Sequence, residues 1–188
     1  MKRIHRAHSH GNEQSEKPLV LSLCRHGVSD SWATMQKLQQ EITAAKNFNI
    51  KARGVDPEGT KETLEGTRGI ELTIEEIRQA SLLIIASSNL NYLQQRFGKE
   101  LVAALISEGY LHVRYGRESQ FLTKDVRNIN RMRAEWHKEY ADLLQHSVKR
   151  RPASEMVYSE AFEHATTLDK KWHSEKDAKI ERKKHLKH

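Results

Sequence analysis

The stretch LVLSLCRHGVSDSW, residues 19–32, decides how the rest of the chain is read. Leu19, Leu21 and Leu23 alternate with Val20, Ser22 and Cys24 behind Pro18, a period of two that predicts a strand with one apolar face. Gly27 breaks the pattern, and Ser29 or Ser31 caps a following helix in which Trp32, Met35, Leu38, Ile42 and Ala45 recur at three- and four-residue steps. A short strand of this kind is not stable alone, and no partner strand is evident nearby in the sequence. Pairing with the same strand of a second chain is therefore expected. The predicted fold is mainly α with a short β element, assembled as a homodimer.

Composition narrows the setting. The chain has 188 residues, enough for one domain with arms, and only 37% of them are hydrophobic against 30% charged, so a small core is expected. Mean hydropathy is -0.79. The best apolar run, Ala80 to Ala86, holds seven residues with a serine among them, far short of the ~18 that a membrane span needs. The N-terminal residues carry charge without an apolar stretch and read as an exposed tail of a cytoplasmic protein. A single cysteine, Cys24, excludes an internal disulfide framework and a cysteine-rich zinc site, which fits a reducing compartment. His5, His8 and His10 alternate in the tail, where imidazoles without supporting partners hold metal weakly, so neither metal nor cofactor is expected.

Three regions are predicted: a disordered basic tail over 1–17, a main domain over 18–151, and a charged helical or frayed extension over 152–188. Inside the main domain, 48–69 is rich in glycine and proline and reads as a flexible excursion. Thr73 with Glu76 forms a capping box opening a helix through Ile77, Ala80, Leu83 and Ile84. A further helix spans 90–107 and stops at Gly109. YLHVRY (110–115) and QFLT (120–123) read as a hairpin whose turn carries Arg117. A long helix follows from about Lys124, with Arg127, Arg131 and Lys138 together on one face, and Ser154–Thr167 reads as an amphipathic helix.

The net charge is +7, and residues 110–151 alone carry +5. Such a concentration attracts a polyanion through counterion release, nucleic acid first among the candidates. A basic helix that binds an acidic protein, in a structural or assembly role, is the other reading of the same charge.

Three family resemblances attach to these motifs. LVLSLCRHGVSDSW is similar to the opening of the histidine phosphatase and phosphoglycerate mutase family, whose first strand ends in Arg-His-Gly; the resemblance implies Arg25 as a phosphate ligand and His26 as the phosphorylated nucleophile of a phosphohydrolase. The strand, the helix and the capped LTIEEIRQAS (72–81) resemble the ribbon-helix-helix regulators. That resemblance implies an obligate dimer on double-stranded DNA in a bacterial, plasmid or phage setting. Val20, Ser22 and Cys24 would read bases, Lys17, Arg25 and His26 would flank them, and Thr73 would sit at a phosphate-holding helix start. Residues 101–123 resemble the end of a winged helix, which puts Arg114 and Arg117 on the DNA backbone or in the minor groove. An Arg131–His137 pair (RMRAEWH) also suits RNA cleavage. The favoured expectation is a non-enzymatic, DNA-binding transcriptional regulator without a small-molecule substrate, with Arg127, Arg131 and Lys138 adding phosphate contacts.

Overall fold

The structure is a computed structural model and describes residues 16–56, 69–115, 126–150, 152–153 and 159–186. Its centre is a parallel sheet of four strands: β1 (Leu19–Cys24), β2 (Asn49–Gly54), β3 (Ala80–Ala86) and β4 (Leu111–Arg114), in spatial order β2-β1-β3-β4. Parallel neighbours need crossover connections, and the helices supply them. They are α1 (Asp30–Glu41), α2 (Ile74–Gln79), α3 (Leu90–Phe97), α4 (Lys99–Ser107), α5 (Val126–Ser147) and α6 (Ser159–His185).

The alternation of β1 sorts its side chains onto two covered faces. Val20 packs with Leu38 and Ile42 beside α1 and with Trp136, Tyr140 and Leu144 of α5. Leu21 and Leu23 point the other way, onto Ile77 of α2, Leu93 and Phe97 of α3, Leu101 and Leu105 of α4, and Phe162 of α6. A sheet with helices on both faces buries its central strands entirely, and all seven residues of β3 are buried.

This architecture overturns the predicted mainly α, ribbon-helix-helix-like fold. Both edges of β1 are taken within the chain, Leu19–Cys24 pairing with Asn49–Gly54 on one side and Leu19–Leu23 with Ala80–Ile85 on the other. No edge remains for an intersubunit ribbon, and the homodimer argued from that edge goes with it. Val20, Ser22 and Cys24, the expected base readers, are 0%, 2% and 1% exposed and reach no groove. Of the expected wing, Leu111–Arg114 pairs in parallel with Leu83–Ala86 and so belongs to the main sheet. QFLT and Arg117 lie outside the described residues.

Two elements differ from the periodicity reading. The helix opened by Thr73 ends at Gln79, and ASLLIIA continues as β3, because an apolar run without alternation suits a strand buried on both faces as well as a buried helix. Residues 49–54, at the start of the expected excursion, form β2; residues 57–68 lie outside the described residues. Toward the C-terminus α6 extends to His185, beyond the helix expected over Ser154–Thr167. No helix among the described residues is long and apolar enough to cross a membrane.

Candidate functional site

In an open parallel sheet the ligand crevice lies outside the C-terminal ends of the strands, where the strand order reverses. Here the order reverses between β1 and β3, as β1 leads through α1 to β2 on one side and β3 lies on the other. The segment leaving β1 at that point is Cys24-Arg25-His26-Gly27-Val28-Ser29, which delivers the chain into the N-terminus of α1.

This loop folds around its own cysteine. The Cys24 Sγ lies 2.9 Å from Ser31 Oγ and 3.6 Å from Ser29 Oγ, and the Gly27 N–H donates to it at 3.2 Å. Burial alone pushes the Cys24 thiol up, but hydrogen bonds from the side chain and backbone of Ser31, and from the backbone and side chain of Ser29, outweigh it and bring its pKa below 9.0. The N-terminus of α1 adds to the effect, since unpaired amides there carry partial positive charge. The Ser29 side chain makes no capping bond to the helix.

Two glycines allow the loop to close. Gly27 has φ +76°, in the left-handed region, and a Cβ there would stand 2.7 Å from the Gly54 nitrogen. A Cβ on Gly54 would in turn stand 2.9 Å from the His26 carbonyl carbon. The end of β2 is fixed against the loop by backbone bonds from Val55 N–H to Cys24 O at 3.0 Å and from Asp56 N–H to Arg25 O at 2.7 Å.

Asp56 gathers the basic groups. Its carboxylate, with a side chain only 1% exposed, accepts from Arg25 Nε at 2.7 Å, and His26 Nδ1 lies 3.2 Å from the same oxygen, close but not aligned as a hydrogen bond. The Arg25 guanidinium also stacks 4.9 Å from the centre of the Tyr92 ring. A thiol of lowered pKa, backbone donors at a helix start and a tethered guanidinium together make a setting for a nucleophile and an oxyanion. This corrects the expectation of a chain without chemistry.

The structure brings Cys24, Arg25 and His26 together but scatters the other predicted residues. Lys17 donates to the Lys46 carbonyl at 2.8 Å, near the opposite, N-terminal end of the sheet. Thr73 caps α2 as expected, accepting from Glu76 N–H at 3.2 Å, and serves a six-residue helix. Arg114 ends β4. Arg131 lies 3.9 Å from Glu135 on the exposed side of α5, with Lys138 also exposed, and the Arg127 side chain is outside the described residues. His137 binds Glu41 of α1 at 2.7 Å. The fold that was to carry these contacts is not the one observed, and the expected DNA partner is not retained; the regulatory role and the bacterial, plasmid or phage setting tied to it fall too.

Sequence reasoning missed Ser31, Gly54 and Asp56. The serine was visible only as a helix cap, and the other two join the site through pairing between β1 and β2. Among the described residues no group of three or more His, Cys, Asp or Glu could hold a metal ion. The histidines of the tail lie outside them.

No family model matches the chain, and no curated protein matches it. Among solved structures it is similar to a crystal structure of a YwlE mutant from Bacillus subtilis, at 13% identity over 70% of this chain and 99% of that one, with a TM-score of 0.44.

Proposed function

We propose that the chain is a phosphohydrolase acting on phosphomonoesters, with Cys24 as its nucleophile. The observation that carries this reading is the Cys24 thiol held by Ser31 Oγ and the Gly27 N–H with its pKa lowered, at the end of the strand where the sheet order reverses. A thiolate is the attacking form of cysteine, and the same loop amides that stabilise it suit the oxygens of a phosphate. The thiolate sulfur attacks phosphorus, the P–O bond to the alcohol breaks, and the leaving oxygen takes its proton from solvent water. Water then attacks the phosphocysteine, releasing inorganic phosphate and restoring the thiolate. Arg25, tethered by Asp56, supplies positive charge at the rim of the loop. A reducing, cytoplasmic compartment suits a chain whose working group is a lone thiol.

A second assignment within the same activity has one observation in its favour. His26 lies in the same loop with its Nδ1 3.2 Å from Asp56 Oδ2, and an imidazole nitrogen can itself attack phosphorus, which would make His26 the phosphorylated residue. Turnover of p-nitrophenyl phosphate by wild type, Cys24→Ser and His26→Ala tests both. The phosphorylated peptide is then mapped by mass spectrometry after rapid quenching. Phosphate on Cys24, and loss of turnover in Cys24→Ser, is the expected result. Phosphate on His26 moves the nucleophile, and no turnover of any phosphomonoester by wild type overturns the proposal.

A further inference from the structure

Beside the loop, α1 and the end of β2 enclose a cleft of about 140 Å³ lined by Gly27, Trp32, Met35, Ile50, Arg53 and Ile70 among others. Trp32 and Met35, three residues apart, project from one side of α1. Ile70 comes from the segment that pairs with the end of β2, its carbonyl accepting from Gly54 N–H at 2.8 Å. Trp32 is 39% exposed and Ile70 58%, so two of the large apolar side chains left open to water on this protein meet at one small opening.

The walls are apolar apart from two cations, Lys51 and Arg53. The Arg53 guanidinium is spent on Glu76, with Nε at 2.9 and 3.0 Å from the two carboxylate oxygens and Nη2 at 2.6 Å, so its charge is balanced away from the cleft and its stem serves as wall. Open to solvent on one side, the cleft has room for about one ring, by the measure of the roughly 150 Å³ apolar cavity that accepts benzene. Gly27 ties the cleft to the chemistry: it lines the cleft, and its N–H donates to Cys24 Sγ at 3.2 Å. A group seated between Trp32 and Ile70 thus borders the thiol loop at Gly27.

We propose that this cleft is the subsite for the organic part of the substrate, receiving one ring-sized or branched apolar group of a phosphomonoester whose phosphate lies at the Cys24 loop. The assignment rests on the phosphohydrolase reading above and adds to it the class of alcohol preferred. Substrates carrying such a group are favoured over small or purely polar ones because Trp32, Met35 and Ile70 are covered when it binds.

The test compares inorganic phosphate, methyl phosphate and benzyl phosphate by calorimetric titration of the full chain in the Cys24→Ser background, so that binding is read without turnover. Trp32→Ala and Ile70→Ser are added singly, both at exposed positions, with circular dichroism to confirm the fold. Benzyl phosphate is expected to bind at least ~10-fold more tightly than methyl phosphate, and either substitution to remove most of that preference while leaving inorganic phosphate binding unchanged. Equal binding of the two esters, or a preference that survives both substitutions, overturns the subsite and leaves the phosphohydrolase reading standing. Failure of inorganic phosphate itself to bind overturns that reading, and the subsite with it. If Trp32→Ala instead converts a dimer to a monomer in sedimentation without altering ester preference, the cleft belongs to a second copy of the chain and the assignment is overturned.

Discussion

Gly27 and Gly54 pack backbone to backbone, each occupying the space that a Cβ on the other would need. One ends the turn around the thiol and the other ends β2, so this approach joins the loop to the sheet.

Gly27→Ala is expected to cost about 1 to 3 kcal/mol for its left-handed backbone, with a further penalty from the Gly54 nitrogen 2.7 Å away. Gly54→Ala meets His26 backbone in return. Chemical denaturation of the two single variants and the double variant measures this, and because the residues touch, the double variant should lose less than the two singles together.

Cys24 alkylation should follow a pH profile with its midpoint below the ordinary thiol value of 9.0. Removing the Ser31 hydroxyl in Ser31→Ala leaves burial less opposed and moves the midpoint up. The absolute rate is slow because Cys24 is 1% exposed, so the midpoint, not the rate, carries the information. The linkage has a definite sign: the folded thiol loses its proton before the unfolded one, so stability rises with pH between the folded pKa and 9.0 and is flat on either side. Cys24→Ser should abolish that slope, as read by denaturation at several pH values.

Asp30 is the first residue of α1, so its carboxylate adds negative charge at the helix start where the proposed phosphate would bind. Asp30→Asn keeps the shape and removes the charge, so KM for a phosphomonoester, or Kd for inorganic phosphate, should fall by about 3- to 10-fold, most strongly at low salt.

Glu41 fastens α1 to α5 through His137 Nε2 at 2.7 Å and Arg133 Nη2 at 3.0 Å. Burial pushes its carboxyl up, but the His137 and Arg133 hydrogen bonds, with the charges of Arg133 and Lys37, bring it below 4.5. The stabilisation is present above the ordinary carboxylate value and is lost as pH falls through the lowered one. Observed by NMR, the Glu41 carboxyl should titrate at higher pH in His137→Ala and in Arg133→Ala than in wild type.

Arg96 is 1% exposed, donates to Asp169 of α6 at 2.9 Å and lies 4.4 Å over the Trp172 ring. Arg96→Ala strands a buried carboxylate and should cost about 3 to 5 kcal/mol. Lys184→Ala, which removes an exposed pair with Glu181, should leave Tm unchanged.

The elements legible in the sequence were those whose signal is local. The alternation of Leu19–Cys24, the helix after Gly27, and the Thr73–Glu76 box all show their cause within a few residues, and each is present. What escaped depends on distant contacts. NIKARG carries two cations and does not read as a strand, because Arg53 is buried only through Glu76, 23 residues on. ASLLIIA gave no period to distinguish strand from helix, and taking it as helix removed the partner of β1, which in turn made a dimer ribbon look necessary. The site followed the same rule. Cys24, Arg25 and His26 were singled out, but their grouping is made by Asp56, 31 residues beyond Arg25.

Because β1 is paired on both sides by strands that come later in the chain, its loop has no walls while the polypeptide is being made. The partners of the thiol itself, Ser29, Ser31 and the Gly27 N–H, lie within seven residues of Cys24, but the Gly54 contact that closes the loop waits for β2. Burial of this cysteine is acquired with tertiary structure, so the loss of its alkylation during refolding times the closure of the sheet.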